Sequence, residues 1–576
     1  MRRLLLFLFF NCCLMASPQA QQLTTLFETS NGRESPDYFQ IIKWWQQLDR
    51  ASVKVSMHTM GATDAGYPLH LVTIGNAPGN RFQQAHLQNK VVILINNGIH
   101  AGEPDGIDAS MLLARDIVEK KIILPENIVL AIIPVYNVGG VLNRSRYYRV
   151  DQGGPLYKGS RVNSRGLDLN RDFIKCDSKE ALSFADIFHR ADPDIFLDNH
   201  VSNGADYQHI ITLLTTQYNK LGGAMGDYLH QKFEPEIYNL MKKEGYDLIP
   251  YVNYFGKNLN QGWTGFWDSP RYASGYASLF HSFAFVPETH MLKPYKERVA
   301  ATYALMKSFI SFGSKNNEAI KKLRKEAKKD VATAEKFPIA FQLDSTQQGL
   351  IEFKGYKATY KKSKVSGLAR LYYDRAQPFS MQIPFYNYYY PTLYISKPKA
   401  YILPQGWWPV VDRLKANHVQ MRQLTRDSVI KVETYYITSY QSAPWPYQTH
   451  HLNSKVKTET REEERTYLKG DYWIPLNQAA NRFLIETLEP QCEDSYFAWN
   501  FFDGILNARE WYSNYNYEDI AAQYLEKNPL LKKELEKKQA TDTVFANNAD
   551  AQLTFIFNAS SYKDRDFMRY PVGRAL

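Results

Sequence analysis

The chain has 576 residues, of which 44% are hydrophobic and 22% are charged. This composition is typical of a folded protein with several domains and excludes fibrous and disordered classes. The net charge of +10, from 69 basic and 59 acidic residues, is a modest bias over this length. The sequence has no dense basic tract with interleaved aromatic residues, so we do not expect a nucleic-acid partner.

The first twenty residues follow the pattern of a secretory signal peptide. Arg2 and Arg3 give the chain a basic start, and residues 4–15 are largely apolar. Small residues follow, and cleavage is possible after Ala16 or Ala20. The apolar run is too short to span a membrane comfortably, and no other segment has about 18 consecutive apolar residues. We therefore expect an exported protein, periplasmic or extracellular, without a transmembrane segment.

The predicted elements of the first half alternate between helix and strand. In chain order they are a helix over Ser35–Arg50 capped by Ser35, strands over Leu69–Ile74 and Val91–Ile95, a helix over Asp105–Val118, a strand over Ile128–Val135, a helix over Ala181–Arg190, strands over Asp194–Leu197 and Phe283–Val286, and a helix over Pro294–Phe312. This alternation predicts an α/β fold with a mixed, mainly parallel central sheet and helices on both faces.

The character of the chain changes near residue 315. A charged helical segment without aromatic residues is followed by alternating, Tyr-rich strand patterns over 337–440 and a polar, loop-like stretch over 441–463. We predict four parts, namely a signal peptide over 1–20, a catalytic domain over 21–314, a helical linker over 315–336 and a β-rich C-terminal module over 337–576. The sequence leaves the role of the last module open.

The strongest chemical signal is the pair His100-x-x-Glu103, which directly follows the buried strand ending at Ile95. In open α/β sheets, ligands bind outside the carboxyl ends of the strands. Imidazole nitrogen and carboxylate oxygen are both good zinc ligands. The pair alone is common by chance, and the alternative is a hydrogen-bonded loop histidine beside a surface glutamate.

Two other predicted strand ends carry the remaining groups of a catalytic zinc site. His200 follows one strand and Glu288 follows another. Such a site takes three protein ligands, keeps a position open for water, and has a separate carboxylate that moves protons. The alternatives are a buried, hydrogen-bonded His200 and a carboxylate at a helix start for Glu288.

The segment over 161–171 is rich in arginine. Arg171 beside Asn170 suits a free C-terminal carboxylate, because the guanidinium is a planar fork that matches a carboxylate. Arg161 suits the oxyanion of a peptide carbonyl. Asp168 could accept the second ring N–H of a ligating histidine. The alternative is a basic surface loop with local turn hydrogen bonds.

These four elements, in this order, resemble the zinc carboxypeptidases of the carboxypeptidase A type over roughly Ser35–Phe312. The early segment Leu69–Gly75 is similar to the first hairpin of that family. The resemblance implies one zinc ion per chain, held by His100, Glu103 and His200, with Glu288 as the general base and acid. It also implies that Arg161 stabilises the oxyanion and that Asn170 and Arg171 bind the substrate carboxylate. Asp168 would accept a hydrogen bond from one of the ligating histidines. The resemblance further implies removal of the C-terminal residue of a peptide with a free carboxylate.

A tyrosine that covers the substrate in this family has two candidates here, Tyr272 and Tyr276. We favour Tyr276 because it follows Gly275. The alternative for either is a packed aromatic residue near the sheet edge.

Two other functions are compatible with the same residues. One is a zinc amidohydrolase that acts on cell-wall peptides or N-acyl amino acids. The other is a non-catalytic binding protein on a peptidase fold, which the full set of catalytic residue types argues against.

Overall fold

The computed structural model describes residues 23–75, 81–252, 259–508 and 510–576. The predicted signal peptide over 1–20 lies outside these residues. Among the helices of the described ranges, none combines the length and the apolar character that crossing a membrane requires.

The first part of the chain alternates strands and helices. Its strands are β1 (Val55–Ala62), β2 (Pro68–Ile74), β3 (Val91–Asn97), β4 (Ile128–Ile133), β5 (Arg144–Ser145), β6 (Lys158–Gly159), β7 (Ile195–Ser202), β8 (Ile211–Thr215), β9 (Trp263–Thr264) and β10 (Phe283–His290). Its helices are α1 (Leu26–Thr29), α2 (Tyr38–Ala51), α3 (Phe82–Leu87), α4 (Asp105–Val118), α5 (Val138–Leu142), α6 (Lys179–Ala191), α7 (Tyr218–Leu221), α8 (Gly223–Tyr228), α9 (Glu234–Lys243), α10 (Ala273–Ser278) and α11 (Tyr295–Lys315).

Seven of these strands form the central sheet, in the order β1-β2-β4-β3-β7-β10-β8. The middle strands β4, β3, β7 and β10 run parallel, whereas β1, β2 and β8 pair antiparallel at the two edges. The predicted α/β class with a mixed central sheet is confirmed.

The middle strands are covered on both faces, which explains the continuous apolar runs Val91–Ile95 in β3 and Ile128–Ile133 in β4. Every residue of β3 and β4 is buried. One face packs against α2, α4, α9 and α11, and the other packs against α3, α6 and α10. A parallel sheet is stable in this arrangement because its β-branched side chains are removed from water on both sides.

Three predicted boundaries in this part are corrected. Helix α2 begins at Tyr38 and is capped by Asp37 rather than Ser35, because the Asp37 carboxylate accepts from the Gln40 N–H in a capping box. Strands β7 and β10 continue through His200 and Glu288, so both residues lie within strands instead of following them. The two residues are direct neighbours in the parallel β7–β10 register.

The second part of the chain is richer in β-strands. Its strands are β11 (Lys336–Leu343), β12 (Gly349–Lys362), β13 (Ala369–Tyr386), β14 (Tyr389–Ser396), β15 (Ala400–Leu403), β16 (Arg422–Gln423), β17 (Ser428–Ser442), β18 (Asn453–Tyr467), β19 (Tyr472–Pro475) and β20 (Gly573–Ala575). Its helices are α12 (Asn317–Thr333), α13 (Trp408–Ala416), α14 (Asn481–Leu488), α15 (Asn514–Lys527), α16 (Pro529–Thr541), α17 (Thr543–Ala546) and α18 (Ala549–Ala559).

This β-rich part packs directly against the first part. Strands β15–β20 form a six-stranded sheet, and the end of β13 pairs in parallel with β9. The charged helix α12 is not a free linker, because its buried Arg324 donates to Asp194 and Asp192 beside β7. The loop-like interpretation of residues 441–463 is wrong in part, since most of this stretch belongs to the long β17–β18 hairpin.

Candidate active site

The turn between β3 and α4 presents His100 and Glu103 at the carboxyl edge of the sheet. The Glu103 N–H donates to the His100 carbonyl at 2.9 Å, which closes a tight turn. Helix α4 then starts very close to the neighbouring strand. A Cβ on Gly106 would lie 2.4 Å from Asn97 Oδ1 and 2.5 Å from Asn199 Cβ, so this position requires glycine.

The side chains of His100, Glu103 and His200 come together as one buried cluster. One potential ligand atom from each residue lies within 4.8 Å of the others. Glu103 Oε1 is 3.2 Å from His100 Nδ1, and Glu103 Oε2 is 3.2 Å from His200 Nδ1. The two imidazole rings meet edge to face with their centroids 5.0 Å apart.

Each imidazole contacts a second carboxylate through its other nitrogen. His100 Nε2 lies 3.0 Å from Asp168 Oδ1, and His200 Nε2 lies 2.9 Å from Asp198 Oδ2. A carboxylate at this place accepts the Nε2–H bond, so both rings are held as the tautomer with a lone pair on Nδ1. Both lone pairs then face the space beside Glu103.

The electrostatics of the cluster favour a bound cation. Burial lowers the pKa of His200, but Asp198, Glu103 and Glu288 outweigh it and raise that pKa well above its ordinary value. The site thus concentrates negative charge around the two Nδ1 atoms. Two imidazoles and one carboxylate are also the donor set of many catalytic zinc ions. The residues present therefore fit zinc.

Glu103 is held by two further donors. The Val201 N–H donates to Oε2 at 2.9 Å, and Arg149 donates to Oε1 at 2.7 Å. Arg149 also donates to the Val201 carbonyl, so it ties the β3–α4 turn to the end of β7. These bonds fix both carboxylate oxygens of Glu103.

Glu288 projects into the same cleft from β10. It is partly exposed to the cleft, and its backbone pairs with that of His200. Burial raises the pKa of Glu288 to about 7, with repulsion from Glu103 in the same direction and His200 opposing it. A carboxylate of this kind can both accept and return a proton.

The cleft has a volume of about 340 Å³ and combines the cluster with three arginines. Its described lining consists of His100, Glu103, Arg149, Arg161, Asn170, Arg171, His200, Val201, Ser202, Asn203, Leu214, Tyr251, Phe266, Tyr272, Ala273, Ser274, Val286 and Glu288. All the predicted metal ligands, Glu288 and the predicted substrate-binding pair therefore share one cavity.

Arg161 lies at the metal side of this cleft. It donates to Asp168 Oδ2 through Nε at 3.1 Å and through its terminal NH2 group at 2.9 Å. Its remaining terminal nitrogen lies 4.0 Å from Glu103 Oε1. Asp168 thus contacts both His100 and Arg161, and these contacts outweigh the effect of burial and hold its pKa well below the usual range.

Asn170 and Arg171 lie further along the cleft. The Asn170 Oδ1 atom accepts from the Ala273 N–H at 3.3 Å, so the Nδ2 hydrogens are what Asn170 offers to a ligand. The Arg171 guanidinium lies 4.6 Å from the centroid of the Tyr272 ring.

Of the two candidate tyrosines, the structure brings only Tyr272 to the cleft, which corrects the preference for Tyr276. Tyr276 is fully buried in the hydrophobic core, where its hydroxyl donates to Asn417 Oδ1 at 2.7 Å. The reason is local, because Tyr272 precedes the first residue of α10 in an extended conformation and so points away from the face that carries Tyr276.

Sequence reasoning missed three residues of this site. Asp198 had a signal, because it lies two positions before His200 and alternate residues of a strand share a face. Arg149 and Tyr251 had none, since neither lies next to a ligand in the sequence. Tyr251 lines the cleft, and burial together with the charges of Glu288 and Glu103 raises its pKa.

This site, with three metal ligands and a separate carboxylate in an arginine-lined cleft, has the features of a metallohydrolase. The zinc carboxypeptidase (peptidase M14) family model matches residues 41–354, which is more than half of the chain. The chain therefore belongs to the zinc carboxypeptidase family, and it is a zinc-dependent metallocarboxypeptidase.

Individual relatives are distant. A curated protein, carboxypeptidase 2 of Trichophyton rubrum, is 20% identical over 442 residues, which cover 71% of this chain and 73% of that protein. A metallo-carboxypeptidase from Burkholderia cenocepacia superposes with a TM-score of 0.36 at 17% identity, over 48% of this chain and 69% of the other. Carboxypeptidase A from Helicoverpa armigera gives a TM-score of 0.37 at 18% identity, over 49% and 74%.

Proposed function

We propose that this enzyme hydrolyses the last peptide bond of peptides with a free C-terminal carboxylate. The observation that carries the proposal is that Asn170 and Arg171 line the same cleft as the His100–Glu103–His200 cluster. A planar guanidinium beside an amide donor suits a carboxylate. A peptide bound there through its terminal carboxylate has its last peptide bond in the cleft that holds the cluster.

The roles of the residues follow from their positions. His100, Glu103 and His200 would hold the zinc ion, which when bound supplies a Lewis acid for the scissile carbonyl and lowers the pKa of water. Glu288 accepts a proton from the attacking water and returns it to the leaving amine as the C–N bond breaks. Arg161 donates to the carbonyl oxygen while negative charge develops on it.

The residues that line the cleft also indicate which class of side chain the enzyme prefers at the C-terminal residue of the substrate. Tyr251, Phe266 and Tyr272 form an aromatic wall, with Phe266 in edge-to-face contact with the other two rings. Leu214 and Val286 add apolar surface. The acidic residues of the described lining are Glu103 and Glu288, which have other roles, so an apolar or aromatic final residue fits better than a basic one.

Paired substrates test the proposal. N-acylated peptides ending in phenylalanine are supplied as the free acid and as the C-terminal amide. We expect the acid to be cleaved far faster, and we expect Arg171→Ala to lose this preference. Arg165→Ala is the matched control, because Arg165 is in the same segment but donates to the Asp177 carbonyl outside the cleft. Equal cleavage of acid and amide by the wild-type enzyme would refute carboxypeptidase action.

The same assay separates the alternative of a zinc amidohydrolase. Cell-wall peptides and N-acyl amino acids also carry a carboxylate near an amide, so they are included at equal concentration. Faster turnover of either class than of the phenylalanine peptides would favour that alternative.

We also propose that the enzyme is exported, on the basis of the leader-like pattern over residues 1–20. Cell fractionation and N-terminal sequencing of the purified protein test this. A cytoplasmic protein that retains residues 1–20 would refute it.

A further inference from the structure

One loop of the C-terminal module reaches the rim of the cleft. This rim loop, residues 443–452, connects β17 to β18 and contacts the first part of the chain at three points, two of them in the arginine-rich segment over 161–171 and one just after it. Arg171 Nε donates to the Tyr447 hydroxyl at 2.7 Å, and the Asp168 N–H donates to Gln448 Oε1 at 2.9 Å. His450 Nε2 lies 2.8 Å from Asp177 Oδ2. The loop therefore holds the segment that carries the substrate-binding pair.

The tip of the rim loop has a strained backbone. Gln448 and Thr449 have φ values of 51° and 70°, in the left-handed region that residues with a side chain rarely adopt. Two reciprocal backbone hydrogen bonds between Tyr447 and His450 close the turn. Such strain persists only where the surroundings impose it, and it is concentrated at functional sites. Here it presents two consecutive side chains, Tyr447 and Gln448, to one segment.

The Tyr447 ring also packs against a buried aromatic residue. It stacks on Trp499 with a centroid distance of 6.2 Å and an interplanar angle of 25°, and Trp499 is fully buried. The Asn500 amide donates to the His451 carbonyl at 2.7 Å at the base of the loop. These contacts fix the position of the Tyr447 ring, and therefore the position of the hydroxyl that accepts from Arg171.

These contacts determine which edge of the Arg171 guanidinium faces a ligand. Nε donates to the Tyr447 hydroxyl, and one terminal N–H donates to the Asn170 carbonyl at 2.7 Å. The planar face of the guanidinium lies over the Tyr272 ring. The donors that remain are on the two terminal nitrogens. A carboxylate can then be bound end-on by this fork, and rotation that would present the Nε edge is opposed.

We infer that Tyr447 is a positioning residue of the substrate-carboxylate subsite, supplied by the C-terminal module and acting through Arg171. This inference rests on the proposed function. It gives the module a defined part in substrate binding, because the rim loop and the first part of the chain build the subsite together.

Tyr447→Phe tests the inference with little risk to folding, since phenylalanine keeps the stacking on Trp499 and removes only the hydroxyl. We expect KM for the free-acid peptide to rise about three- to tenfold, the range for losing one hydrogen bond of ordinary strength, because the bond is partly exposed and acts on the substrate only through Arg171. We expect kcat to stay within about twofold and cleavage of the amide to be unchanged, because Arg171 acts on the carboxylate alone. Tyr360→Phe, at an exposed site in the β12–β13 hairpin, is the matched control.

Binding measured without turnover gives a second readout. In a Glu288→Gln background, calorimetry should show the same three- to tenfold increase in Kd for the free acid on adding Tyr447→Phe, and no change for the amide. An unchanged KM and Kd for the free acid would overturn the inference, and so would equal losses on acid and amide.

The two proposals fail in different ways. If the wild-type enzyme prefers the acid and Arg171→Ala loses the preference, but Tyr447→Phe behaves as wild type, only the role of Tyr447 is wrong. If the wild-type enzyme does not distinguish acid from amide, the proposed function is wrong and this inference fails with it.

Discussion

Replacing Asp198 with asparagine tests how His200 is prepared to bind a metal. Asp198 accepts two buried hydrogen bonds, from His200 Nε2 at 2.9 Å and from Asn96 Nδ2 at 2.9 Å. Asparagine has nearly the same shape but only one acceptor oxygen, so its NH2 group must face one of these two donors. Either His200 moves its proton to Nδ1 and accepts through Nε2, or the Asn96 amide flips and presents its Oδ1, which has no other hydrogen-bond partner among the described residues. In both cases His200 loses its charged acceptor.

That change has a calculable cost. In the first arrangement the proton lies on the Nδ1 atom that is 3.2 Å from Glu103 Oε2, which removes the lone pair that a zinc ion requires. In the second arrangement a neutral amide oxygen replaces the carboxylate that accepts from the histidine. Loss of a carboxylate behind a ligating histidine typically lowers metal affinity about 10- to 100-fold, or about 1.4–2.8 kcal/mol. We expect a loss within this range, because His200 and Asp198 are both buried and water cannot replace the lost negative charge.

Competition with a chromogenic chelator measures the zinc Kd directly. Asp194→Asn is the matched control, because Asp194 is also buried, immediately precedes β7 and pairs with Arg324 at 2.7 Å far from the cluster. We expect this control to lose stability but to keep its zinc affinity. A folded Asp198→Asn variant with wild-type zinc affinity would refute the reasoning.

Two further predictions concern stability. Gly106→Ala should lower the free energy of unfolding by about 1–3 kcal/mol, because the new Cβ would overlap Asn97 and Asn199. Gly406→Ala is the control, because a Cβ there would lie in open space and should change the stability little. Equal urea midpoints for the two variants would contradict this prediction. Burial raises the pKa of Asp108 to about 7, so its proton stays bound in the folded state after the unfolded state has released it. Its contribution to stability is therefore complete below about pH 4 and is lost as pH rises through about 7, and Asp108→Asn should gain in unfolding free energy relative to wild type between about pH 4 and pH 7. A stability difference that is independent of pH would show that Asp108 is not the group responsible.

Much of the central fold could be predicted from the sequence because its signals are local. Val91–Ile95 and Ile128–Val135 are continuous apolar runs, and runs of this kind are typical of strands buried on both faces. His100 and Glu103 are three positions apart, so one tight turn brings them together. His200 and Glu288 required only the assumption that parallel strands end at the same edge of a sheet.

The remaining features depend on contacts that no local pattern encodes. Tyr447 meets Arg171 across 276 positions of the sequence. Strand β18 has few apolar residues because most of it is exposed in a long hairpin, so it lacks the alternation that identifies a strand. Tyr272 and Tyr276 are separated by one helical turn in the sequence, and only the observed start of α10 shows that they point in different directions.

The central claim is that His100, Glu103 and His200 hold the metal while Glu288 moves the proton. Zinc content and turnover, measured together on wild type and Glu288→Gln, test it most directly. We expect about one zinc per chain in both proteins and a loss of nearly all activity in the variant. A variant that holds zinc and retains wild-type turnover, or a folded wild-type protein that binds no zinc, would contradict the claim.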